Sequence, residues 1–303
     1  MIRARIFGCN KRVRARYVIN NVNDNNMSNE QQRQQQQRQQ TTETRRRLRE
    51  YSQTNEYVSN ENERKRAAVL VVLFENAETK KLNVVLTKRA KTMNSHANQV
   101  AFPGGKMDEE DLTEVDCAFR EALEEIGLPR EYCEVKCLLP PIVSAGFISV
   151  RPVVCIVKDY ERFYTCEKWL RNNPREVQRT FAVPLDVFLK NDKEIYSYDD
   201  HAWENAPCAI RVHSFKVIEE DLLASSTSSS SSSSSVSHGS KEKKNRAVVW
   251  GLTAAILIET AKIVFSREPE FERDCTIGAS IWDLVGNSEG SGVKLRPKFV
   301  SKM

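Results

Sequence analysis

Residues 225–240 are almost pure serine, and residues 20–64 are dominated by Asn, Gln, Arg and Glu, with a near-continuous run from Gln31 to Gln40. Neither stretch carries enough apolar surface to offset the entropy of ordering a backbone, so neither is expected to join a packed core. Of the 303 residues, roughly 200 remain, about one domain by the usual size of domains. A domain of that size buries a core without disulfides. The expected organisation is a disordered basic and Gln/Asn-rich tail over 1–64, a domain over 65–275 with a serine-rich insert at 225–244, and a tail over 276–303.

The formal net charge of +5 is mild, and Arg3, Arg5, Lys11, Arg12, Arg14 and Arg16 place much of it in the first twenty residues, away from any folded face. Nucleic-acid binding by the core is disfavoured, because it needs basic residues on a folded face with interleaved aromatics. The eight cysteines show no C-x-x-C pair and no repeated spacing, which suits reduced thiols in an intracellular compartment. The four histidines are scattered and suggest no zinc site. Val248 to Ile258 is too short an apolar run for a bilayer span, so a soluble protein is expected.

Ala67 to Phe74 is a valine-rich apolar run that predicts a strand buried on both faces. Asn76 to Lys80 reads as a turn and Leu82 to Leu86 as a second strand, together a hairpin. Asp116 to Ile126 has helical character, with Gly127 as its stop and Pro129 barring continuation. Val135–Leu139, Ile148 and Val153–Val157 supply further strands; Leu185–Leu189 and Thr253–Phe265 read as helical. The mixture lacks a regular βαβ repeat, so the fold class is α+β, or a layered α/β/α sandwich on a mixed sheet.

The chemistry concentrates in Gly104 to Leu128. On a helix, Glu121, Glu124 and Glu125 project from adjoining parts of one face. Crowded like charges favour a hard divalent cation, Mg²⁺ or Mn²⁺, because such ions prefer oxygen ligands. Gly104 and Gly105 allow the backbone to approach a ligand closely. Carboxylates alone more often form a solvated acidic face; Arg120 beside Glu121, the double glycine and the Gly127 stop shift the balance to a site.

Arg120, Glu121, Glu124, Glu125, Gly127 and Leu128 resemble the second half of the Nudix box, with Ala122 at a position that usually holds a bulkier aliphatic residue. The first half departs. Gly105 lies fifteen residues before Arg120 where the strict box has fourteen, and Asp111 stands where glutamate is expected. The coenzyme A diphosphatase branch of that superfamily shares the longer loop. Its upstream signature is similar to Leu86-Thr87-Lys88-Arg89, His96 and Gln99 to Gly105, with Ala90, Met93 and Asn98 as substitutions. Asn98 replaces a glycine, and Asn is a residue that tolerates positive φ. Asn173 to Val177, Val183 to Leu185 and Trp250 to Ala254 match further motifs of the branch.

The resemblance implies hydrolysis of coenzyme A, and of acyl-CoAs, to 4′-phosphopantetheine and adenosine 3′,5′-bisphosphate. The alternatives are a Nudix hydrolase of another nucleoside diphosphate derivative, NADH or ADP-ribose, and a non-catalytic nucleotide-binding module. Cation ligands are then Glu121, Glu124 and Glu125, and the general base is Glu125, Glu124 or Glu176. Arg120 is expected to brace the carboxylates. Arg89 is either a phosphate contact or an ion-pair partner, His96 a loop brace or a catalyst, and Phe102 an adenine contact or core.

The arginine-rich, acid-free first twenty residues suit a mitochondrial transit segment, removed if Met27 is the start. Ser301-Lys302-Met303 resembles a peroxisomal import signal. The peroxisome, with its import receptor as a partner, is the expected address.

Overall fold

In a computed structural model of the chain, the described residues are 39–53, 65–76, 79–93, 97–144, 148–158, 172–202, 209–221 and 245–273. His96, the serine tract, the basic first twenty residues and Ser301-Lys302-Met303 lie outside them. The chain divides into two units, Met1–Thr44 and Arg45–Met303. Of the first, only 39–44 is described, and it is helical.

The second unit is built on a mixed nine-stranded sheet. β1 (Arg66–Glu75) and β2 (Leu82–Arg89) form the expected hairpin, closed by the Lys80 amide donating to the Asn76 carbonyl. They pair only at the turn end, where Leu73 faces Val84 and Glu75 faces Leu82. Beyond it they splay, and two short strands fill the gap: β3 (Val100–Ala101) on β2, and β4 (Gly104–Lys106) on β1. β5 (Cys133–Leu138) and β6 (Ile142–Val143) pair antiparallel with β7 (Ser149–Val157), which runs parallel to β1. β8 (Val177–Pro184) and β11 (Glu220–Asp221) complete the sheet beside β2. The order β11-β8-β2-β1-β7-β5 buries β1 in the middle, as its continuous apolar run predicts.

Helix α2 (Glu114–Ile126) covers one face of the sheet, packing Cys117, Ala118, Phe119, Ala122 and Ile126 against Ala68, Leu70, Val72 and Val153. The opposite face packs on helix α3 (Gly251–Phe265), the 3₁₀ turn Leu185–Leu189 and a three-stranded sheet. In that smaller sheet β10 (Ala209–Ile218) lies between β9 (Tyr196–Ala202) and β12 (Arg246–Trp250). The result is the expected α+β architecture on a mixed sheet. α3 is buried nearly all round because it is covered from several sides, not along one amphipathic stripe. Leu185–Leu189, expected to be helical, forms a 3₁₀ turn behind Pro184. Among the described residues no helix is long and apolar enough to cross a membrane.

One expectation needs correcting. Residues 39–53, inside the stretch read as too polar to fold, form a helix, α1. Leu48 is 0% exposed in the core, Tyr51 packs beside it, and Arg47 donates to the Val264 carbonyl at the end of α3. Gln, Arg and Glu are good helix formers, and a single apolar anchor one turn from an aromatic suffices where a neighbouring helix end supplies acceptors. Averaging composition over 20–64 hides that anchor.

Residues 267–273 lie against the small sheet. Phe271 stacks on Tyr196 at 4.1 Å between ring centroids, and Arg211 donates to the Glu272 carbonyl. His213 joins both sides: its Nδ1 accepts from the Tyr196 hydroxyl at 3.0 Å and its Nε2–H donates to the Arg273 carbonyl at 2.9 Å. Burial pushes its pKa down to about 4, because a charged imidazole there loses its water and its acceptor nitrogen. As pH falls, the unfolded chain therefore takes up the proton first, near 6.5. The stability this group contributes is complete above that pH and is lost down to about 4. In denaturant melts, the unfolding free energy of wild type should fall with a slope about one proton steeper than that of His213→Gln over this window. Equal slopes would rule the buried neutral histidine out.

Candidate active site

Helix α2 is fixed at both ends. Thr113 caps its start by accepting from the Asp116 amide at 3.1 Å, and Gly127 ends it in the left-handed region at φ 70°. Gly127 and Leu128 return their amides to Leu123 and Ala122. This frame sets Glu121 and Glu125 one turn apart on the side facing β4.

The glycines of β4 are required by contact. Gly104, at φ +153°, would place a Cβ 2.4 Å from the Ala68 carbonyl oxygen; Gly105 would place one 2.2 Å from Glu121 Oε1. Only bare backbone lets the Glu121 carboxylate lie against the loop. The Gly104 amide donates to Glu125 Oε2 at 3.2 Å, so the second carboxylate is aimed at the same loop. Asn98 adopts φ 61°, the left-handed conformation expected of the residue that replaces a glycine there.

A third carboxylate arrives from elsewhere in the chain. The turn at 173–176 is tied to the end of α2, because the Asn173 amide donates to the Glu125 carbonyl at 2.8 Å. Its Glu176 carbonyl accepts from Ala90 at the end of β2. Glu121, Glu125 and Glu176 then each offer an oxygen within 4.8 Å of the others. At an effective dielectric near 20, each pair of unit charges at such a separation repels by roughly 3 kcal/mol. Burial pushes the Glu125 carboxyl up to about 7; the Gly104 amide and Arg89 oppose the shift, while Glu121 and Glu176 add to it. Glu121 is raised also, chiefly by burial.

Glu124 stands apart. Its side chain is 55% exposed and meets Arg120 Nη1 at 3.3 Å, so the grouped carboxylates are Glu121, Glu125 and Glu176, not the three glutamates of α2. Arg120 spreads its fork over four oxygen-bearing groups, with Cys117 Sγ 3.9 Å from Nη2. Nε and Nη2 donate to the two Asp111 oxygens at 3.0 and 2.8 Å, Nη2 also to the Lys106 carbonyl at 3.1 Å, and Nη1 to Glu121 Oε1 at 3.1 Å as well as to Glu124. The Asp111 side chain is only 3% exposed, and the guanidinium holds it below the usual carboxylate range. Its part was not legible in the sequence, because the longer loop blurs the register before the helix. The loop turns back through the Asp111 amide and the Asp108 carbonyl, which delivers the shorter side chain to Arg120.

Arg89 lies with Nη1 3.8 Å from Glu125 Oε1, an ion pair at the edge of the cluster. Its buried Nε has no hydrogen-bond partner among the described residues. Phe102 is 4% exposed and packs in the core. Cys117 donates its thiol to the Gly105 carbonyl at 3.6 Å, and burial pushes it up to about 12, so it stays protonated.

The NUDIX domain family matches residues 64–195. The chain carries a NUDIX domain. It is similar to Nudix hydrolase 15, mitochondrial, of Arabidopsis thaliana, at 32% identity over 70% of this chain and 62% of that protein. It is also similar to the same plant's Nudix hydrolase 22, chloroplastic, at 33% identity over 68% of this chain and 58% of that one. Against the uncharacterized Nudix hydrolase NudL of Cronobacter sakazakii it is 39% identical over 42% of this chain and 60% of the bacterial protein. The chain thus spans about three fifths of the length of these relatives. The NUDIX match ends at residue 195, so β9, β10, β12 and α3 lie beyond it.

Two outcomes follow from this geometry. Gly105→Ala pushes a methyl group into the Glu121 carboxylate, the far end of a side chain that can turn away, and should keep the melting temperature within about 4 °C of wild type. A much larger drop would show that the carboxylate has nowhere else to go. In metal-free protein, Glu125 is stable as the neutral acid and is increasingly penalised as pH rises from its unfolded value of 4.5 through about 7. The stability of Glu125→Gln relative to wild type should therefore climb across that window and level off above it. A difference independent of pH would contradict the burial argument.

Proposed function

We propose that the chain is a divalent-cation-dependent hydrolase of the pyrophosphate bond in coenzyme A, acting also on acyl-CoAs. The observation that carries the hydrolase reading is the grouping of Glu121, Glu125 and Glu176 within 4.8 Å beside the glycine loop. The residues fit a hard cation: the donor set is all carboxylate, and the absence of a side chain at Gly105 leaves the Glu121 carboxylate room beside the loop. Glu121, Glu125 and Glu176 would hold Mg²⁺ or Mn²⁺. When bound, such an ion neutralises phosphate charge and lowers the pKa of coordinated water.

The side chains then have separable tasks. Arg120 keeps the Glu121 carboxylate turned toward the loop through its Asp111 and Lys106 contacts. Arg89 holds a positive charge at the edge of the cluster, and its partly exposed guanidinium suits a phosphate oxygen. Water adds to one phosphorus, the bridging P–O bond breaks, and the water's proton passes to a carboxylate. Glu125, Glu124 and Glu176 are the candidates for that base, and Glu124 is set apart by its exposure. The choice of coenzyme A is supported by the Leu86–Arg89 and Gln99–Gly105 segments and by the left-handed Asn98.

The test is purified full-length protein with Mg²⁺ or Mn²⁺ and coenzyme A, acetyl-CoA, NADH and ADP-ribose, products scored by mass. Coenzyme A should give 4′-phosphopantetheine and adenosine 3′,5′-bisphosphate, and Glu125→Gln should lower that turnover by at least about 1,000-fold with its fold intact. Preference for NADH or ADP-ribose would overturn the substrate, and near-normal turnover by Glu125→Gln would overturn the site. No turnover on any of the four would favour a binding module.

A further inference from the structure

One buried group beside the carboxylates has no part in that chemistry. Cys117 is 0% exposed and lies three residues before Arg120 and four before Glu121, so the three side chains share one face of α2. Its Sγ is 3.6 Å from the Gly105 carbonyl oxygen and 3.9 Å from Arg120 Nη2. Gly105 is also the residue at which an added Cβ would strike the Glu121 carboxylate. The thiol therefore sits where the glycine loop, the arginine fork and the first carboxylate meet. An aliphatic side chain of similar size would fill the space but offer no donor to the carbonyl. A serine hydroxyl would keep the donor on a slightly shorter reach.

We propose that Cys117 is a positioning residue of the cation site: its S–H···O contact fixes Gly105 against Glu121, and its sulfur seats Arg120 between Asp111 and Glu121. The inference rests on the reading of Glu121, Glu125 and Glu176 as cation ligands. A thiol hydrogen bond is weak by itself. Its effect comes through the group it orients, since groups that support a metal's ligands typically change affinity by about 10- to 100-fold. One weak contact belongs at the lower end of that range.

Mn²⁺ titration of the full-length protein without substrate, with free Mn²⁺ read by electron paramagnetic resonance, tests this directly. Cys117→Val keeps volume and removes the donor; Cys117→Ser keeps the donor; thermal melts check both folds. The valine variant should bind Mn²⁺ about tenfold more weakly, and the serine variant within about threefold of wild type. Wild-type Mn²⁺ affinity in a folded valine variant overturns the proposal, and so does a natively melting serine variant that is tenfold weaker or more. If valine does not fold, Cys117→Ala, which also lacks the donor, takes its place, and wild-type Mn²⁺ affinity in that variant overturns the proposal. Failure of the wild-type chain to bind Mn²⁺, or undiminished binding by Glu125→Gln, overturns the underlying cation site instead.

Discussion

Three carboxylates held within 4.8 Å of one another set the terms for everything around them. Such a group is unfavourable without positive charge, so each member has to be restrained by something outside the group. Glu121 is restrained by Arg120 and by contact with Gly105; Glu125 by the Gly104 amide and by Arg89; Glu176 by a turn whose backbone is bonded to the end of α2 and to the end of β2. The sheet can supply all three restraints because its central hairpin opens. Were β1 and β2 paired along their full length, β3 and β4 would have no edge to join, and the glycines would not reach the helix.

Much of this was legible beforehand, for physical reasons that can be named. β1 announced itself because a strand buried on both faces has no polar alternation. α2 did so because its stop, Gly127, needs the left-handed conformation it is found in. Arg120 was readable as a brace because a planar fork beside carboxylates has few other uses. Glu176 was a candidate only through its motif; nothing local in Asn173–Val177 says that the turn will be bonded to Glu125. Asp111 and Cys117 were the poorest signals. One belongs to a loop whose length shifts its register, and the other looks like an ordinary core residue on the packed side of a helix. Both acquire meaning only from tertiary contacts.

Glu124 shows the limit of reading a face from spacing. Residues three and four apart lie on adjoining parts of a helix, so all three glutamates of α2 qualify as neighbours. Only two of them point where β4 and the 173–176 turn converge; the third leans outward to share Arg120. Which of several adjacent carboxylates enters a site is decided by the elements opposite the helix, and those lie far away in sequence.

The two faces of the sheet divide the work. The face under α2 carries Cys117, Ala118, Ala122 and the residues that fix the carboxylates. The other face holds α3, the small sheet and Leu48 of α1, all joined in one apolar cluster. Residues 222–245, which contain the serine tract, run from β11 to β12, so in sequence they connect an edge of the main sheet to the smaller sheet. Leu48 and Tyr51 pack on the face away from α2. Additions on that side leave the glycine loop and its carboxylates undisturbed, because the contacts that hold the cluster come from α2, β4, the end of β2 and the 173–176 turn. A fold arranged in this way can lengthen its connections and acquire new helices with little consequence for its chemistry.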